Sequence, residues 1–472
     1  MVILSLLWYF IPSVAKEQPR NLANQIVQRS YTDDLPGIKK RKVIRALVTY
    51  SLTDFFFTKN GTPKGLQVDL LNEYEKLLNK GIKRETDRVK VHYIPTSFDR
   101  LIPDLLDGKG DIAAALLTVT PERKDKISFI TTQQQKVQEL LVTHKSIDDI
   151  QTLEDLSGRE VYVLKGSSYA EHLRGLNQQL RKQKLQPIKI IEADSHLLSE
   201  DILELVNSGV VKITVVDDYK ARVWAKVLPG IRVLDGLAIK QGTSVGWAIR
   251  QDNPKLKQSF DTFVKKVKKG TLLGNMLFNR YYKKTKWIRN PNAESERKKL
   301  LTLIELFKKY GGRYDFDYLA IAAQGYQESR LDQSKRSHRG AVGIMQLLPS
   351  TAADKKVNIP DIEKEENNIH AGMKYMAFLR DRYFSDPQLS REDRMAFTWA
   401  AYNAGPAKVS KMRSLAKEMG LDPNVWHANV ELAAGKVVGR ETIKYVSNIF
   451  KYYIAYSLLR DQNKVFTVPT TS

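Results

Sequence analysis

The hydrophobic pattern changes near residue 283, and no other feature constrains the fold as strongly. After this point the sequence has helical periodicity almost to its C-terminus. Before it, short apolar runs rich in β-branched residues alternate with helical segments, and the runs are 42–50, 89–94, 111–115, 160–164, 187–191 and 213–216. Such alternation is typical of parallel sheets flanked by helices, so we predict an α/β part followed by an all-α part.

The chain length also requires more than one core. Single hydrophobic cores stop growing at about 250–300 residues, and the chain has 472 residues. The segment 283–297 is polar and broken by proline, as linkers are. We therefore predict an α/β domain over 40–282, a linker over 283–297 and a helical domain over 298–472.

The N-terminus has the pattern of a targeting segment. An apolar run over 2–11 precedes the small residues Ser13, Val14 and Ala15, which predicts a signal peptide or a short anchor over 1–15 and export to the periplasm. No Lys or Arg precedes the run, in contrast to the usual pattern. A buried first strand is the alternative, because the run is too short to span a bilayer as a helix.

The charge of the chain limits its partners. A formal net charge of +23 predicts attraction to polyanions, but Lys and Arg are spread over the whole length, which argues against nucleic acid. The absence of cysteine excludes disulfides and a thiol nucleophile. We expect no cofactor and no metal, since His370 has no partner at the spacing of a metal site.

The stretch 105–129 leads from a predicted strand into a helix that begins near Pro121. It resembles extracellular solute-binding proteins of the amino-acid type, and the resemblance extends over about 40–270. That family has two α/β lobes that close over a ligand. A carboxylate ligand requires a guanidinium and hydroxyl groups, which Arg123, Thr118 and Thr120 could supply, and the resemblance implies Arg123 as the carboxylate binder. Spacing alone instead favours an exposed helical Arg123.

The second lobe offers two further candidate positions. The segment 165–171 has the pattern of a strand end, a tight turn and a capped helix, which predicts an anion site at Ser167 and Ser168. The segment 215–217 resembles the strand of that family that ends in an acidic residue, which implies that Asp217 meets a ligand ammonium. An amino acid, a peptide and a muropeptide fragment all remain open as the ligand.

Five blocks follow in order in the helical part. They are 327–332, 340–352, 368–375, 400–406 and 441–445. Together they resemble the goose-lysozyme-like catalytic domain of soluble lytic transglycosylases. The resemblance implies an all-α lysozyme-like fold, peptidoglycan glycan strands as substrate and a periplasmic location peripheral to the outer membrane.

Glu328, in the first block, is the candidate catalytic acid. On a helix with Asp317 as N-cap, the apolar stripe of Leu319 and Tyr326 lies opposite Glu328, so periodicity alone predicts an exposed glutamate. The alternative is that this face lines a groove covered by the loop 340–351, whose glycines leave backbone N–H groups unobstructed. A glutamate in an apolar site can act as an acid near neutral pH.

Glycoside hydrolases normally add a second carboxylate, and neither Asp332 nor Glu441 is a convincing one. The resemblance implies that Glu328 first protonates the glycosidic bond and then deprotonates the muramic acid C6 hydroxyl. This reaction leaves 1,6-anhydromuramic acid ends. A hydrolytic muramidase and a non-catalytic cell-wall or ligand-binding protein are the alternatives. The predicted substrate-binding residues are Ser329, Gly343, Met345, Gln346, Tyr402, Asn403 and Tyr445.

Overall fold

The computed structural model describes residues 29–51, 53–58, 62–131, 136–268, 270–282 and 294–461. The predicted signal peptide or anchor over 1–15 lies outside these residues. Most of the predicted linker lies outside them too, although a helix already begins at Glu294. No helix among the described residues is long and apolar enough to cross a membrane.

The first lobe is built on a five-stranded sheet with helices packed against it. Its strand order is β4-β1-β5-β12-β6. The strands of the lobe, with one short hairpin, are β1 (Val43–Val48), β2 (Phe56–Phe57), β3 (Pro63–Lys64), β4 (Lys90–Pro95), β5 (Ile112–Thr118), β6 (Ile127–Ile130) and β12 (Val245–Arg250). Its helices are α1 (Leu35–Arg41), α2 (Leu66–Leu78), α3 (Leu101–Leu106), α4 (Pro121–Lys124), α8 (Pro254–Val267) and α9 (Leu272–Tyr282), with 3-10 turns at Glu85–Asp87 and Phe98–Arg100.

The second lobe is inserted between β6 and β12, so the chain crosses between the lobes twice. Its sheet has the order β11-β7-β10-β8-β9. The strands are β7 (Val137–His144), β8 (Glu160–Val163), β9 (Lys189–Glu192), β10 (Ile213–Asp217) and β11 (Ile231–Thr243). The helices are α5 (Ser168–Lys182), α6 (Ser199–Asn207) and α7 (Asp218–Trp224), with a 3-10 turn at Glu154–Leu156.

The prediction of parallel sheets is only partly right. β1 pairs in parallel with β4 and β5, and β8 pairs in parallel with β9 and β10. However, β12 is antiparallel to both β5 and β6, and β7 is antiparallel to β10 and β11. The antiparallel strands are those next to the two crossings, where the chain turns back into a sheet after leaving the other lobe.

The helical domain surrounds one central helix, α11 (Tyr318–Ser329), which packs against α10 and α17. Asp317 caps α11 by accepting a hydrogen bond from the backbone N–H of Leu319 at 2.9 Å, as predicted. The other helices are α10 (Glu294–Tyr314), α12 (Pro349–Ala353), α13 (Glu365–Tyr383), α14 (Arg391–Ala404), α15 (Pro406–Glu418), α16 (Glu431–Val437) and α17 (Arg440–Asp461), with a kinked π-type turn at Trp426–Val430. The predicted multidomain class, an α/β two-lobed part followed by an all-α part, is confirmed.

The two parts of the molecule share a buried contact. One cluster of buried apolar side chains continues from Phe57 and Trp224 of the lobes to Phe450 of α17. Beside it, the buried Lys451 ammonium lies 2.6 Å from a Glu204 carboxylate oxygen on α6 of the second lobe. A charge at such depth is retained only when it is paired, so this ion pair fixes α17 against α6.

Candidate active site and ligand cleft

Glu328 is at the end of α11, where the helix stops because Arg330 and Leu331 both take left-handed backbone angles. Its carboxylate accepts a hydrogen bond from the Tyr445 hydroxyl of α17 at 2.5 Å. Burial raises the pKa of Glu328 to about 7, whereas the Tyr445 hydrogen bond and the charge of Lys335 act in the opposite direction. A carboxyl group with this pKa can both donate and accept a proton near neutral pH.

The loop 340–351 covers the face of α11 that carries Glu328. A β-carbon at Gly325 would lie 3.1 Å from a methyl group of Ile344 and 3.4 Å from the Met345 sulfur, so the loop approaches the helix closely at this glycine. The periodicity argument that placed Glu328 at the surface is therefore wrong. It considered only the apolar stripe of one helix, and the opposite face is covered by residues distant in the sequence.

Ser329 and Asn368 hold this loop in place. The Ser329 hydroxyl lies 2.9 Å from the carbonyl oxygen of Ile344, to which it donates. The buried Asn368 amide donates to the Val342 carbonyl at 2.9 Å and accepts from the Met345 N–H at 2.8 Å. Sequence reasoning assigned no role to Asn368, although it begins one of the five blocks, because its partners are backbone groups.

Three positions in the loop have left-handed backbone angles, and the first is Gly340, with φ 79°. Gly343 has φ 76°, and a β-carbon there would lie 2.5 Å from both the Asn368 amide nitrogen and the Gln333 amide oxygen. Gln346 has φ 45°, and its side-chain amide donates to the Gly343 carbonyl at 2.9 Å. Met345 was predicted to bind substrate, but it is fully buried and belongs to the core beneath the loop.

Tyr402 and Asn403 lie on α14, beside the loop. The Tyr402 hydroxyl donates to the Met345 carbonyl at 2.8 Å. Asn403 is exposed, and its side-chain oxygen accepts from the Thr442 hydroxyl of α17 at 2.8 Å. The structure thus brings all seven predicted substrate-binding residues to the end of α11, the covering loop and the two helices packed against them.

A second carboxylate beside Glu328 is absent from the described residues. The groups that shift its pKa are neighbouring apolar surface, Tyr445 and Lys335, and none of them is acidic. Asp332 accepts hydrogen bonds from the N–H and hydroxyl of Ser334, which lowers its pKa. Glu441 is exposed in the first turn of α17.

The side chain of His370 contacts two tyrosines of α10. Its ring lies 2.8 Å from the Tyr314 hydroxyl and is stacked on Tyr310. Burial and the neighbouring basic residues lower the pKa of His370 to about 4. These contacts explain His370 as part of the packing between α10 and α13.

A cavity of about 1020 Å³ lies between the lobes and the helical domain. Its lining includes Gln327 and Lys335, and Lys335 donates to the Glu328 backbone carbonyl at 3.1 Å. Four basic side chains give this side of the cavity a positive charge, and they are Arg330, Lys335, Arg440 and Lys444. The catalytic candidate is therefore next to a space that both parts of the molecule enclose.

The predicted ligand residues of the lobes converge on the cleft between them. Arg123 is 8% exposed, so the expectation from spacing, an exposed helical residue, is wrong. Its guanidinium donates to the Thr118 carbonyl of the first lobe and to the Gly166 carbonyl of the second, each at 2.9 Å. Thr120 caps the short helix α4, accepting from the Arg123 N–H at 3.3 Å.

Ser167 and Asp217 are also buried at this cleft. The Ser167 hydroxyl and one Asp217 carboxylate oxygen have no hydrogen-bond partner within the described residues. Burial raises the pKa of Asp217 to about 6, and the nearby Glu139 charge contributes. Ser168 instead donates to Glu139 at 2.7 Å. Sequence reasoning missed Glu139, which pairs with Asp217 across β7 and β10.

Two family models match the chain. The model of the bacterial extracellular solute-binding proteins, family 3, matches residues 44–284, and the transglycosylase SLT domain model matches residues 305–423. A two-lobed α/β domain joined to a transglycosylase SLT domain defines an enzyme of the lytic transglycosylase class. The chain belongs to the bacterial extracellular solute-binding proteins of family 3, extended by a transglycosylase SLT domain.

The chain aligns with curated relatives over most of their length. The chain is 28% identical to membrane-bound lytic murein transglycosylase F of Desulfosudis oleivorans, over 86% of this chain and 88% of the relative. It is 27% identical to the protein of the same name from Pseudomonas fluorescens, over 89% of this chain and 85% of the relative. A solved ancestral arginine-binding protein bound to arginine is 25% identical, with TM-score 0.42, over 51% of this chain and 98% of that structure.

Proposed function

We propose that the chain cleaves the MurNAc-β-1,4-GlcNAc bond of peptidoglycan and leaves 1,6-anhydromuramic acid ends. The observation that carries this proposal is the largely buried carboxyl group of Glu328, whose pKa burial raises to about 7 and which has no second carboxylate beside it among the described residues. The names of the relatives, which call them lytic murein transglycosylases, support the substrate class.

In the proposed reaction, the Glu328 carboxyl donates its proton to the glycosidic oxygen as the bond from that oxygen to C1 of muramic acid breaks. The resulting carboxylate then removes the proton of the C6 hydroxyl, whose oxygen forms the new bond to C1. The proton returns to Glu328, so one carboxyl group serves as acid and base and no water is consumed. The Tyr445 hydroxyl positions the carboxyl group and stabilises its charged form.

The remaining groove residues have three proposed roles. Ser329, Gly343 and Tyr402 set the path of the covering loop through their contacts with its backbone. The exposed Asn403 and the half-buried Gln346 offer amides to the sugar N-acetyl groups. Met345, buried beneath them, fills the space under the groove floor.

Digestion of purified sacculi by the full chain tests this proposal. We expect soluble muropeptides whose muramic acid ends are lighter by one water than reducing ends, as measured by mass spectrometry. Glu328→Gln should abolish their release, and Asp332→Asn, which alters an ionised residue of the adjacent turn, should retain it. Reducing ends would identify a hydrolytic muramidase instead. Undiminished release by Glu328→Gln would refute the role of this residue.

We also propose that the cleft between the lobes binds a small ligand with carboxylate and ammonium groups. This class includes free amino acids, peptides and muropeptide fragments. Arg123, Thr118 and Thr120 would bind the carboxylate together with Ser167 and Ser168, and Asp217 would bind the ammonium. The unpartnered Ser167 and Asp217 oxygens support a polar ligand, since buried polar groups are normally paired.

Ligand closure of the lobes is proposed to change access to the groove, because α6 of the second lobe contacts α17, which carries Tyr445. Titration calorimetry with amino acids and muropeptides should detect binding that Asp217→Asn weakens. The same ligand should change the rate of sacculus digestion. A ligand that binds and leaves this rate unchanged would refute regulation but would leave the catalytic proposal intact.

For its location, we propose the periplasm, peripheral to the outer membrane, with export directed by residues 1–15. The words "membrane-bound" in the names of the relatives support a membrane association. Fractionation of cells that express the full chain tests this proposal. Recovery in the cytosolic fraction would contradict it.

A further inference from the structure

Two histidines and a glutamate meet where the second lobe contacts the helical domain. His196 lies in the connection between β9 and α6 of the second lobe. Glu392 is in the first turn of α14, and His427 is in the π-type turn Trp426–Val430. The three residues are far apart in the sequence, and for this reason no spacing motif could indicate them.

One ligand atom from each of these side chains lies within 4.8 Å of the other two. The His196 Nε2 atom is 3.0 Å from a Glu392 carboxylate oxygen. Ligands in a tetrahedral zinc site, with bonds of about 2.0–2.1 Å, are separated by about 3.3 Å. Small rotations of three side chains would therefore give bonding distances.

The outer contacts of both histidines orient the rings toward this point. His196 Nδ1 lies 2.6 Å from an Asp194 carboxylate oxygen. His427 Nδ1 lies 3.9 Å from a Glu431 carboxylate oxygen, and its Nε2 is buried without a hydrogen-bond partner among the described residues. Metal-binding histidines typically direct one ring nitrogen to a carboxylate and the other to the ion. His196 has that arrangement, and in His427 the buried Nε2 is left free for an ion.

Aromatic packing further restricts the two rings. The Phe450 ring of α17 is stacked on His196 with a centroid distance of 5.1 Å and an interplanar angle of 8°. The same ring contacts His427 at 5.0 Å. Rings held in this way lose little conformational entropy when they bind an ion.

We propose that His196, Glu392 and His427 bind a divalent zinc-like metal ion that ties the second lobe to the helical domain. Two imidazole nitrogens and one carboxylate oxygen are a donor set that suits Zn²⁺, with water as the fourth ligand. Because the ligands come from both parts of the molecule, the ion stabilises the contact between them. The proposed role of the ion is structural, and the ion takes no part in the bond cleavage proposed for Glu328.

The test uses the full chain, without an affinity tag and stripped of metal, titrated with ZnCl₂ in a calorimeter. We expect one ion per chain and a rise in Tm on its addition. Glu392→Gln and His427→Gln should each weaken binding at least tenfold and remove the rise in Tm. Asp194→Asn, which alters only an orienting contact, should weaken binding by about 10–100-fold.

His338→Gln is the matched control, because it removes a histidine from an exposed loop of the helical domain. It should bind zinc as the parent does. Co²⁺ offers a second measurement, since its visible absorption reports the coordination of a bound ion and should disappear in Glu392→Gln. This variant changes an exposed side chain, so a folding failure is not expected. Failure of the parent to bind either ion, or binding that persists in both ligand variants, would overturn the proposal.

Discussion

The hydrogen bond between Tyr445 and Glu328 should set the pH at which the enzyme loses its acid. Tyr445→Phe removes this bond, which stabilises the charged carboxylate and so lowers its pKa. A hydrogen bond to a charged group contributes about 1.5–3 kcal/mol, and one pKa unit corresponds to about 1.4 kcal/mol. The substitution should therefore raise the pKa of Glu328 from about 7 by about 1–2 units.

The dependence of kcat/KM on pH measures this pKa in the free enzyme. Because the proposed bond cleavage starts with protonated Glu328, activity should fall as the pH rises through its pKa. The parent should lose half of its activity near pH 7, and Tyr445→Phe near pH 8–9 by the same reasoning (about 1–2 units higher). Release of soluble muropeptides from sacculi, at constant ionic strength, provides the rate.

Tyr402→Phe is the control for this experiment. The Tyr402 hydroxyl donates to the Met345 carbonyl and not to Glu328, so its loss should leave the alkaline limb in place even if the rate falls. An alkaline limb that stays fixed in Tyr445→Phe, or moves to lower pH, would refute the proposed electrostatic coupling. A lower rate alone would not decide the question.

Three further substitutions test the packing of the molecule. Below about pH 4.5 the Glu328 carboxyl is protonated in both folded and unfolded chains, and the folded state loses stability as the pH rises to about 7. Glu328→Gln should therefore raise the free energy of unfolding above pH 7, by at most about 3 kcal/mol. A difference in Tm between this variant and the parent that stays constant between pH 4 and pH 8 would contradict this. Gly343→Ala should lower Tm through a cost of about 1–3 kcal/mol, because its β-carbon would clash with Asn368 at a left-handed backbone position. Lys451→Met leaves Glu204 buried without its partner and should lower the free energy of unfolding, measured in urea, by about 3–5 kcal/mol. An unchanged midpoint of urea denaturation would mean that the two parts separate readily.

Several features of the fold could be predicted from local sequence. The strand β1 could be predicted from its continuous apolar run with β-branched residues, and the helix α2 from a mainly helical spacing of apolar residues. The change from alternating strands and helices to helices alone placed the boundary between the two parts. Local patterns could not show that β7 and β12 are antiparallel to their neighbours, because strand direction depends on how the chain crosses between the lobes.

For the candidate catalytic residue Glu328, too, some features could be predicted from local sequence and others could not. The block around Glu328 identified the residue, and the blocks of the loop and α17 identified Gly343 and Tyr445. Periodicity, however, predicted an exposed Glu328, and spacing predicted an exposed Arg123. Both side chains are covered by segments from elsewhere in the chain, and the periodicity of one helix contains no information about what packs on its polar face.

The contact between the two parts depends on tertiary structure alone. His196, Glu392 and His427 have no common motif, and each would be interpreted separately as an ordinary surface residue. The sequence by itself determined the composition of the chain and the change from alternating strands and helices to helices alone, and it predicted Glu328 as the catalytic acid. Tertiary structure alone decided the raised pKa of Glu328 and the convergence of the two histidines, because burial and proximity arise only when distant segments pack together.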